Sequence, residues 1–372
     1  MVNNITIFYG SKKKFIEILP KEYISISELA MESDRQRRMH IHRVEGQTVE
    51  NINPPELYKN VIGWSDEYAR LSENTMSSFT HFICEFQIED IFLQNPPTSV
   101  VKQINSIVED DNLVILNQEY KVISDDNLLK ISKEYNLKIL GQESVRDRLI
   151  TNLYKLSGGY TKEKPIVILL YGPPGVGKTE TAKLIADMLG EKLFRKQFSM
   201  FQNSSFSTYV FGGAHNEESL ARDLLERESN VILFDEFDKP NNIFFSAFYQ
   251  LFDEGVFEDK NYKVDLQKSI IFLTSNFISE SEIKNSIGEA MYTRLDALIE
   301  FSQLSEDASQ KIFEEKLKKR LGSLSDSDRV LVTSSKQFEK FTLNSNYFKN
   351  VRAIDKYIDD YVFYQLVKQK FL

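Results

Sequence analysis

The sequence predicts an α/β protein: a parallel sheet with helices on both faces, a helical segment after it, and a separate mixed α+β region before it. From about residue 137, short apolar runs alternate with runs of helical spacing, which is typical of such a sheet. After residue 301 the spacing is helical only. The predicted domains are therefore 1–137, 138–303 and 304–372.

Residues 1–137 contain strand-like pieces at 5–9, 15–19 and 81–91, interrupted by two Asn-Pro-Pro turns. The only cysteine, Cys84, alternates with apolar residues in the last piece, so we expect a buried thiol there rather than a nucleophile. A single cysteine cannot form an internal disulfide, which indicates a reducing, cytoplasmic setting.

The charge of the chain argues against some classes of function. Residues 1–137 contain 14 Lys and Arg against 21 Asp and Glu, a balance of −7 out of the net −9 of the whole chain. This acidity argues against nucleic-acid binding. Because no apolar run approaches the roughly 18 residues of a membrane span, membrane insertion is not expected either.

Residues 172–179 (GPPGVGKT) fit the phosphate-loop pattern G-x-x-x-x-G-K-[ST], between an apolar run over Ile166–Tyr171 and a helix-like run that stops at Gly190. Glycine lets backbone N–H groups approach a phosphate closely. Lys178 is expected at the β- and γ-phosphates, and the Thr179 hydroxyl in the Mg²⁺ shell. The pattern predicts binding of ATP or GTP with Mg²⁺, against the alternative of an ordinary glycine-rich turn.

The alternation continues with a strand at 193–198, a helix at 217–228, a strand at 231–234, a helix at 243–252 and a strand at 270–274. The strand at 231–234 runs into Asp235 and Glu236, at the sheet edge where the phosphate loop lies. Asp235 is expected to hold Mg²⁺, and Glu236 to polarise the attacking water as general base. The alternative is a solvated acidic turn.

Several stretches resemble the AAA+ ATPases, and among them the Clp-type protein unfoldases, above all the second ATPase module of the two-ring members. These stretches are ILGQ at 139–142, GPPGVGKTETAK from 172, VILFDEFDK from 231 and LTSN at 273–276. The resemblance implies ATP as the nucleotide and Asn276 as a residue that holds the attacking water or the γ-phosphate. The residues expected to contact the nucleotide are Leu140, Gly172, Pro173, Pro174, Gly175, Val176, Gly177, Lys178, Thr179 and Glu180.

Two arginines complete the resemblance. MYTRLD at 291–296 is similar to the segment that carries the arginine finger, so Arg294 is expected to reach the γ-phosphate bound by a neighbouring subunit. NVRAI at 350–354 is similar to the sensor-2 helix, so Arg352 is expected to couple the helical lid to the nucleotide. A finger supplied in trans implies a homo-oligomeric ring, hexameric in this family. For either arginine, a surface salt bridge is the alternative.

A further segment, 208–213 (TYVFGG), lies where such unfoldases carry a central-pore loop. The resemblance implies that Tyr209, Val210 and Phe211 grip a polypeptide, Tyr209 foremost. The alternative is a core aromatic in a glycine-flanked turn. Only 17 residues separate Asn276 from Arg294, too few for the extended protease-docking loop of some family members, so docking to a compartmental protease is disfavoured.

The leading prediction is an ATP-driven, ring-forming protein-remodelling motor of the unfoldase type, whose client is chosen by residues 1–137. A second hypothesis makes the same ATPase a nucleotide-gated assembly switch that clamps its partner without threading it, for instance in a bacterial defence or DNA-maintenance system. The nucleotide motifs are common to both hypotheses.

Overall fold

The computed structural model describes residues 4–41, 57–108, 110–161, 164–200, 204–335, 337–343 and 348–372. They form two compact units. Unit 1 comprises the described residues of Met1–Tyr120, Asn203–Glu228 and Val256–Leu266; unit 2 comprises those of Lys121–Gln202, Ser229–Gly255 and Gln267–Leu372. The boundaries 137/138 and 303/304 stay predictions.

The elements in the described residues are as follows. The strands are β1 (Asn4–Tyr9), β2 (Ile24–Ser25), β3 (Leu57–Gly63), β4 (Gln87–Gln94), β5 (Leu113–Asn117), β6 (Ile166–Tyr171), β7 (Phe194–Gln197), β8 (Val231–Asp235), β9 (Val256–Glu258), β10 (Lys263–Asp265), β11 (Ile270–Thr274) and β12 (Ala297–Glu300). The helices are α1 (Lys12–Ile16), α2 (Ile26–Ile41), α3 (Glu73–Ser77), α4 (Phe79–Cys84), α5 (Thr98–Asn105), α6 (Asp125–Lys138), α7 (Glu143–Ser157), α8 (Lys178–Leu189), α9 (Ser204–Phe211), α10 (Leu220–Leu225), α11 (Tyr249–Glu254), α12 (Glu280–Ile287), α13 (Glu289–Tyr292), α14 (Glu306–Gly322), α15 (Asp326–Thr333), α16 (Phe338–Leu343) and α17 (Val351–Phe371).

Unit 1 contains a five-stranded sheet in the order β2-β3-β4-β1-β5. All four strand pairs are parallel, so its strands and helices alternate more regularly than the predicted mixed α+β region implies. Its core is apolar and aromatic, with Ile7, Val61, Phe79 and Leu93 fully buried. The antiparallel pair β9–β10 also belongs to this unit.

One predicted strand of unit 1 is wrong, and another is right only over its second half. The piece predicted at 15–19 begins within helix α1, which the Ser11 side chain caps by accepting from the Lys14 N–H at 3.4 Å. The piece predicted at 81–91 is helix α4 followed by β4, because Phe79, Phe82 and Ile83 have the spacing of one buried helix face. Cys84 consequently lies at the end of a helix and is exposed, so the buried thiol was also wrong.

Unit 2 contains the predicted parallel sheet, in the order β12-β6-β11-β8-β7, and every pair in it is parallel. Strands β6, β8 and β11 are fully buried and consist mostly of Ile, Leu, Val and Phe, as expected of central parallel strands. Helices α7 and α8 pack against this sheet. The carboxyl ends of β6, β8 and β11 meet at one edge, which places their following residues together.

Two predicted helices are shorter than expected. The helix predicted at 217–228 forms only over Leu220–Leu225, capped by Ser219. The helix predicted at 243–252 is α11, preceded by a 3₁₀ helix over Asn242–Phe248.

Helices α14 to α17 confirm the helical segment after the sheet, with a core around Phe313, Ile354 and Ile358. Within the described ranges, no helix has the length and apolar character needed to cross a membrane.

Candidate functional site

The glycine loop after β6 has a backbone that only glycine adopts without strain. Gly172 has φ +128°, and a Cβ at this position would lie 2.2 Å from the Phe301 carbonyl oxygen. Gly177 has φ +109° and forms the N-cap of α8. The loop therefore turns tightly over the sheet edge, leaving the first turn of α8 directed at the space above it, where Thr179 and Glu180 line the cavity described below.

Lys178 is the first residue of α8 and is 8% exposed. Its ammonium donates to the carbonyl oxygens of Gly172 at 2.5 Å and Pro173 at 2.8 Å, and to Asn276 Oδ1 at 3.3 Å. Burial, with a smaller effect of the Arg352 charge, lowers the pKa of Lys178 to about 8, although Asp238 and Asp235 oppose the shift. This cation sits in a partly desolvated place that an anionic ligand would stabilise.

Asp235 is the last residue of β8 and is 6% exposed. One of its oxygens accepts from the Thr274 hydroxyl and the other from Arg195 Nε at 3.0 Å. Thr274 is the last residue of β11, the neighbouring strand. Asp235 is thus fixed from both sides at the sheet edge.

Glu236 follows Asp235 with φ +56°, an uncommon backbone for a residue with a side chain. Its N–H donates to Thr274 Oγ1 at 2.9 Å, and its carboxylate accepts from Gln197 Nε2 at 3.1 Å. Hydrogen bonds from Ser199 and Gln197, followed by the charges of Lys239 and Arg352, hold the pKa of Glu236 below its usual value despite partial burial. Glu236 is therefore ionised at neutral pH, as a general base must be.

One cavity of about 570 Å³ joins these side chains, a size in the usual range for a nucleotide-sized ligand. Its polar lining includes Lys178, Asp235, Glu236 and Asn276. Its apolar lining comes from Ile139, Leu140, Val176, Leu304, Ile312 and Val351. The cavity thus offers both charged groups suited to phosphates and apolar surface suited to a base.

Helix α17 closes one side of this cavity. The Val351 N–H donates to the Gly175 carbonyl at 2.8 Å, and Asn350 caps the helix by accepting from the Ala353 N–H at 2.9 Å. Arg352, in the first turn, lines the cavity. Both the lid helix and the glycine loop therefore contribute to one site.

Arg294 does not belong to that lining. Its Nε donates to Asp253 Oδ2 at 2.8 Å, and its guanidinium lies 4.3 Å from the centre of the Tyr249 ring. Within one chain this is the salt-bridge alternative. The role in trans stays a prediction, which requires an arginine outside the cavity of its own chain.

The predicted pore-loop residues lie in α9 of unit 1. Tyr209 is 4% exposed and donates to Asp223, and Val210 is fully buried, whereas Phe211 is 43% exposed. Burial raises the pKa of the Tyr209 hydroxyl. In this conformation Tyr209 is the core aromatic that was the alternative, and gripping by Tyr209 stays a prediction that would require it to leave this packing.

The sequence reasoning missed Arg195, Gln197 and Ser199. Arg195 contacts Asp235, and Gln197 contacts Glu236. The available signal was the predicted strand at 193–198: alternate residues of a strand share a face, and this strand was expected in the same sheet as the acidic strand.

Residues 163–323 match the model of the AAA domain of the Cdc48 subfamily. The chain carries an AAA+ domain of the Clp type. The resemblance inferred from the glycine loop, the acidic strand and Asn276 is confirmed.

Curated relatives of this AAA+ chain include the chaperone protein ClpB of Clostridium perfringens, 27% identical over 70% of this chain and 32% of the relative. The chaperone protein ClpB of Chlamydia caviae is 30% identical over 37% of this chain and 19% of the relative. The ATP-dependent Clp protease ATP-binding subunit ClpC of Staphylococcus epidermidis is 26% identical over 60% of this chain and 33% of the relative. The matches span a third or less of each relative. They imply ATPase activity for the AAA+ domain.

Proposed function

We propose that this chain is an ATP-hydrolysing protein-remodelling motor of the unfoldase or disassembly type, which acts as a homo-oligomeric ring, hexameric as in the family it resembles. The observation that supports this most is the cavity of about 570 Å³ in unit 2. It combines a glycine cradle, a buried lysine, two carboxylates and an asparagine at one edge of a parallel sheet.

The residues present fit Mg²⁺ and ATP. The Thr179 hydroxyl and the Asp235 carboxylate are the oxygen donors that Mg²⁺ prefers, and Gly175 and Gly177 line the cavity without side chains that would keep phosphates from the backbone. Thr179 and Asp235 would hold the metal, which supplies charge neutralisation on the phosphates. Leu140 and its apolar neighbours would hold the adenine.

The protein's own groups then divide the chemistry. Ionised Glu236 accepts a proton from the attacking water, and Gln197 keeps its carboxylate in place. Lys178 neutralises phosphate charge from its position beside Asn276, whose amide orients the water or the γ-phosphate. Arg352 connects the nucleotide to α17, so that the lid helix responds to the nucleotide bound.

Arg294 of a neighbouring copy would complete the transition-state charge. A mixing experiment tests this. Arg294→Ala and Lys178→Ala chains should each be nearly inactive alone, because one lacks the finger and the other the phosphate site. Mixed, they should regain part of the ATPase activity, since a Lys178→Ala neighbour still offers Arg294. No recovery on mixing, or full activity of Arg294→Ala alone, would refute the ring-interface role.

The motor's client would bind through residues 1–137, in a cytoplasmic setting and without a compartmental protease. The second candidate is a nucleotide-gated switch that clamps a partner, as a defence or DNA-maintenance system would use. The burial of Tyr209 and its bond to Asp223 favour the clamp, because a gripping residue should be accessible.

Unfolding of a labelled client separates the two candidates. Tyr209→Ala that keeps its ATPase but loses client unfolding supports threading, whereas full client processing supports the clamp. Tyr209→Phe, which keeps the ring in the core and removes only the hydroxyl, controls for loss of folding.

A further inference from the structure

The edge strand β7 contacts two carboxylates of the cavity, those of Asp235 and Glu236. It pairs with β8 so that Arg195 is opposite Leu233 and Gln197 is opposite Asp235. As alternate residues of one strand, Arg195 and Gln197 share a face, and both line the cavity. Arg195 holds Asp235, and Gln197 holds Glu236.

Both oxygens of the Asp235 carboxylate are occupied. The Thr274 hydroxyl donates to Oδ1, while Arg195 donates to Oδ2 from Nε at 3.0 Å and from a second guanidinium nitrogen. The Asp235 side chain is 9% exposed, and a carboxylate so buried needs a compensating charge. Arg195 is the cation that supplies it.

The two partners differ in their freedom to move. The Arg195 side chain is 47% exposed and lies on the edge strand of the sheet, whereas Asp235 ends a central strand and is buried. Because the Arg195 guanidinium is half-exposed, water can replace its hydrogen bonds, and a divalent cation can replace it as the partner of the carboxylate. The arginine, not the aspartate, is therefore the partner able to withdraw.

We propose that Arg195 is a positioning residue that orients and neutralises Asp235 in the nucleotide-free site, and that Arg195 and Mg²⁺ compete for this carboxylate. The inference rests on the proposed function, because it assigns to Asp235 the metal of a bound nucleotide. Arg195 would turn towards the solvent-facing part of the cavity when Asp235 takes up the metal. Metal and nucleotide binding would then be coupled through β7.

The test measures binding rather than turnover. The affinity of the full chain for fluorescently labelled ADP is measured in EDTA and in saturating Mg²⁺. The Kd in EDTA divided by the Kd in Mg²⁺ reports the coupling between metal and nucleotide. In Arg195→Met this ratio should rise about two- to fivefold, because the metal no longer displaces a cation. In Arg195→Lys the ratio should rise less, because a lysine keeps the charge but loses the two-nitrogen contact.

Lys196→Met is the matched control. It removes one positive charge from the same strand, at a residue outside the cavity lining, and should leave the ratio unchanged. An unchanged or lower ratio in Arg195→Met would overturn the proposal. If thermal unfolding shows that Arg195→Met is not folded, Arg195→Lys decides by the same criterion. Failure of the unmodified chain to bind ADP at any Mg²⁺ concentration would instead refute the proposed function.

Discussion

Units 1 and 2 each contain a five-stranded parallel sheet, but the carboxyl edges of the two sheets are used differently. In unit 2 the carboxyl edge borders a cavity with a buried lysine, and we call it the open edge. In unit 1 a carboxylate of the same chain, that of Glu226, lies against the edge. It accepts from the Lys12 N–H at 2.9 Å, from Gln94 Nε2 at 2.8 Å and from Asn95 Nδ2 at 3.1 Å.

The difference lies in the residues that follow the strands. Strand β6 is followed by a glycine loop and the twelve-residue helix α8, which leave room for phosphates. Strand β1 is followed by Gly10, Ser11 and a five-residue helix, while β4 ends in the fully buried amides Gln94 and Asn95. Parallel strands supply a polar edge in both units, and the loops decide how much room it keeps: about 570 Å³ in unit 2 and about 270 Å³ beside Glu226 in unit 1.

The largest expected effect concerns the carboxylate that distinguishes the open edge. Glu236→Gln should reduce ATP hydrolysis about 10²- to 10⁴-fold, because the general base is lost, while ATP binding stays within about twofold. Steady-state phosphate release and equilibrium ATP binding measure the two quantities. Glu254→Gln, at an exposed glutamate of the same unit that bonds Gln250, is the control and should retain normal turnover. Loss of ATP binding in Glu236→Gln would contradict the assigned role.

The next effect concerns the shape of the open edge. Gly172→Ala should lower the free energy of unfolding by about 2–4 kcal/mol, because its Cβ would meet the Phe301 carbonyl at a φ of +128°. Urea denaturation measures this. Gly322→Ala, at the end of α14 where a Cβ meets nothing within 4 Å, should instead be neutral or stabilise by up to about 1 kcal/mol. Equal effects at both glycines would mean that the close approach at Gly172 is not maintained.

The smallest effect concerns Glu226, at the carboxyl edge of the unit 1 sheet. Burial raises the pKa of Glu226 above 4.5, although donors such as Lys12 and Asn95 oppose the shift. The folded state therefore holds this proton more tightly than the unfolded state does. This contribution to stability is present below pH 4.5 and is lost as the pH rises through the raised pKa.

Relative to Glu226→Gln, the unmodified chain should thus lose unfolding free energy between pH 4.5 and pH 7. The fluorescence of Trp64, the only tryptophan and a residue of unit 1, reports the transition in urea. Glu228→Gln, whose carboxylate is 3.9 Å from Lys13 at the surface, is the control and should keep the pH dependence of the unmodified chain. A parallel pH dependence in Glu226→Gln would show that Glu226 does not cause it.

The residues at the open edge could be predicted from the sequence, and those at the carboxyl edge of the unit 1 sheet could not. The residues of the open edge lie in three short segments with strong local signals: the glycine loop, the strand that ends at Asp235, and the segment that ends at Asn276. Glu226 contacts residues more than 130 positions away in the chain, and no local pattern reports such a contact. The Arg195–Asp235 pair depends on the register of two strands, which the sequence did not specify.

Local ambiguity explains the remaining differences. Around residues 15–19 and 81–91, short apolar runs fit both a strand and a helix. The Ser11 cap favours helix α1, and the buried face of Phe79, Phe82 and Ile83 favours helix α4. Tyr209 shows the same limit. Its aromatic-glycine segment resembles a pore loop, yet its contact with Asp223 depends on the packing of α9 within unit 1.

The most direct test of the account is the number of ATP molecules bound per chain. Equilibrium dialysis of Glu236→Gln with saturating Mg²⁺ and ATP should give one nucleotide per chain, and none after Lys178→Ala is added, because the glycine loop and Lys178 of unit 2 are the proposed phosphate site. Two nucleotides per chain, or binding that survives Lys178→Ala, would contradict the assignment of the nucleotide to the unit 2 cavity.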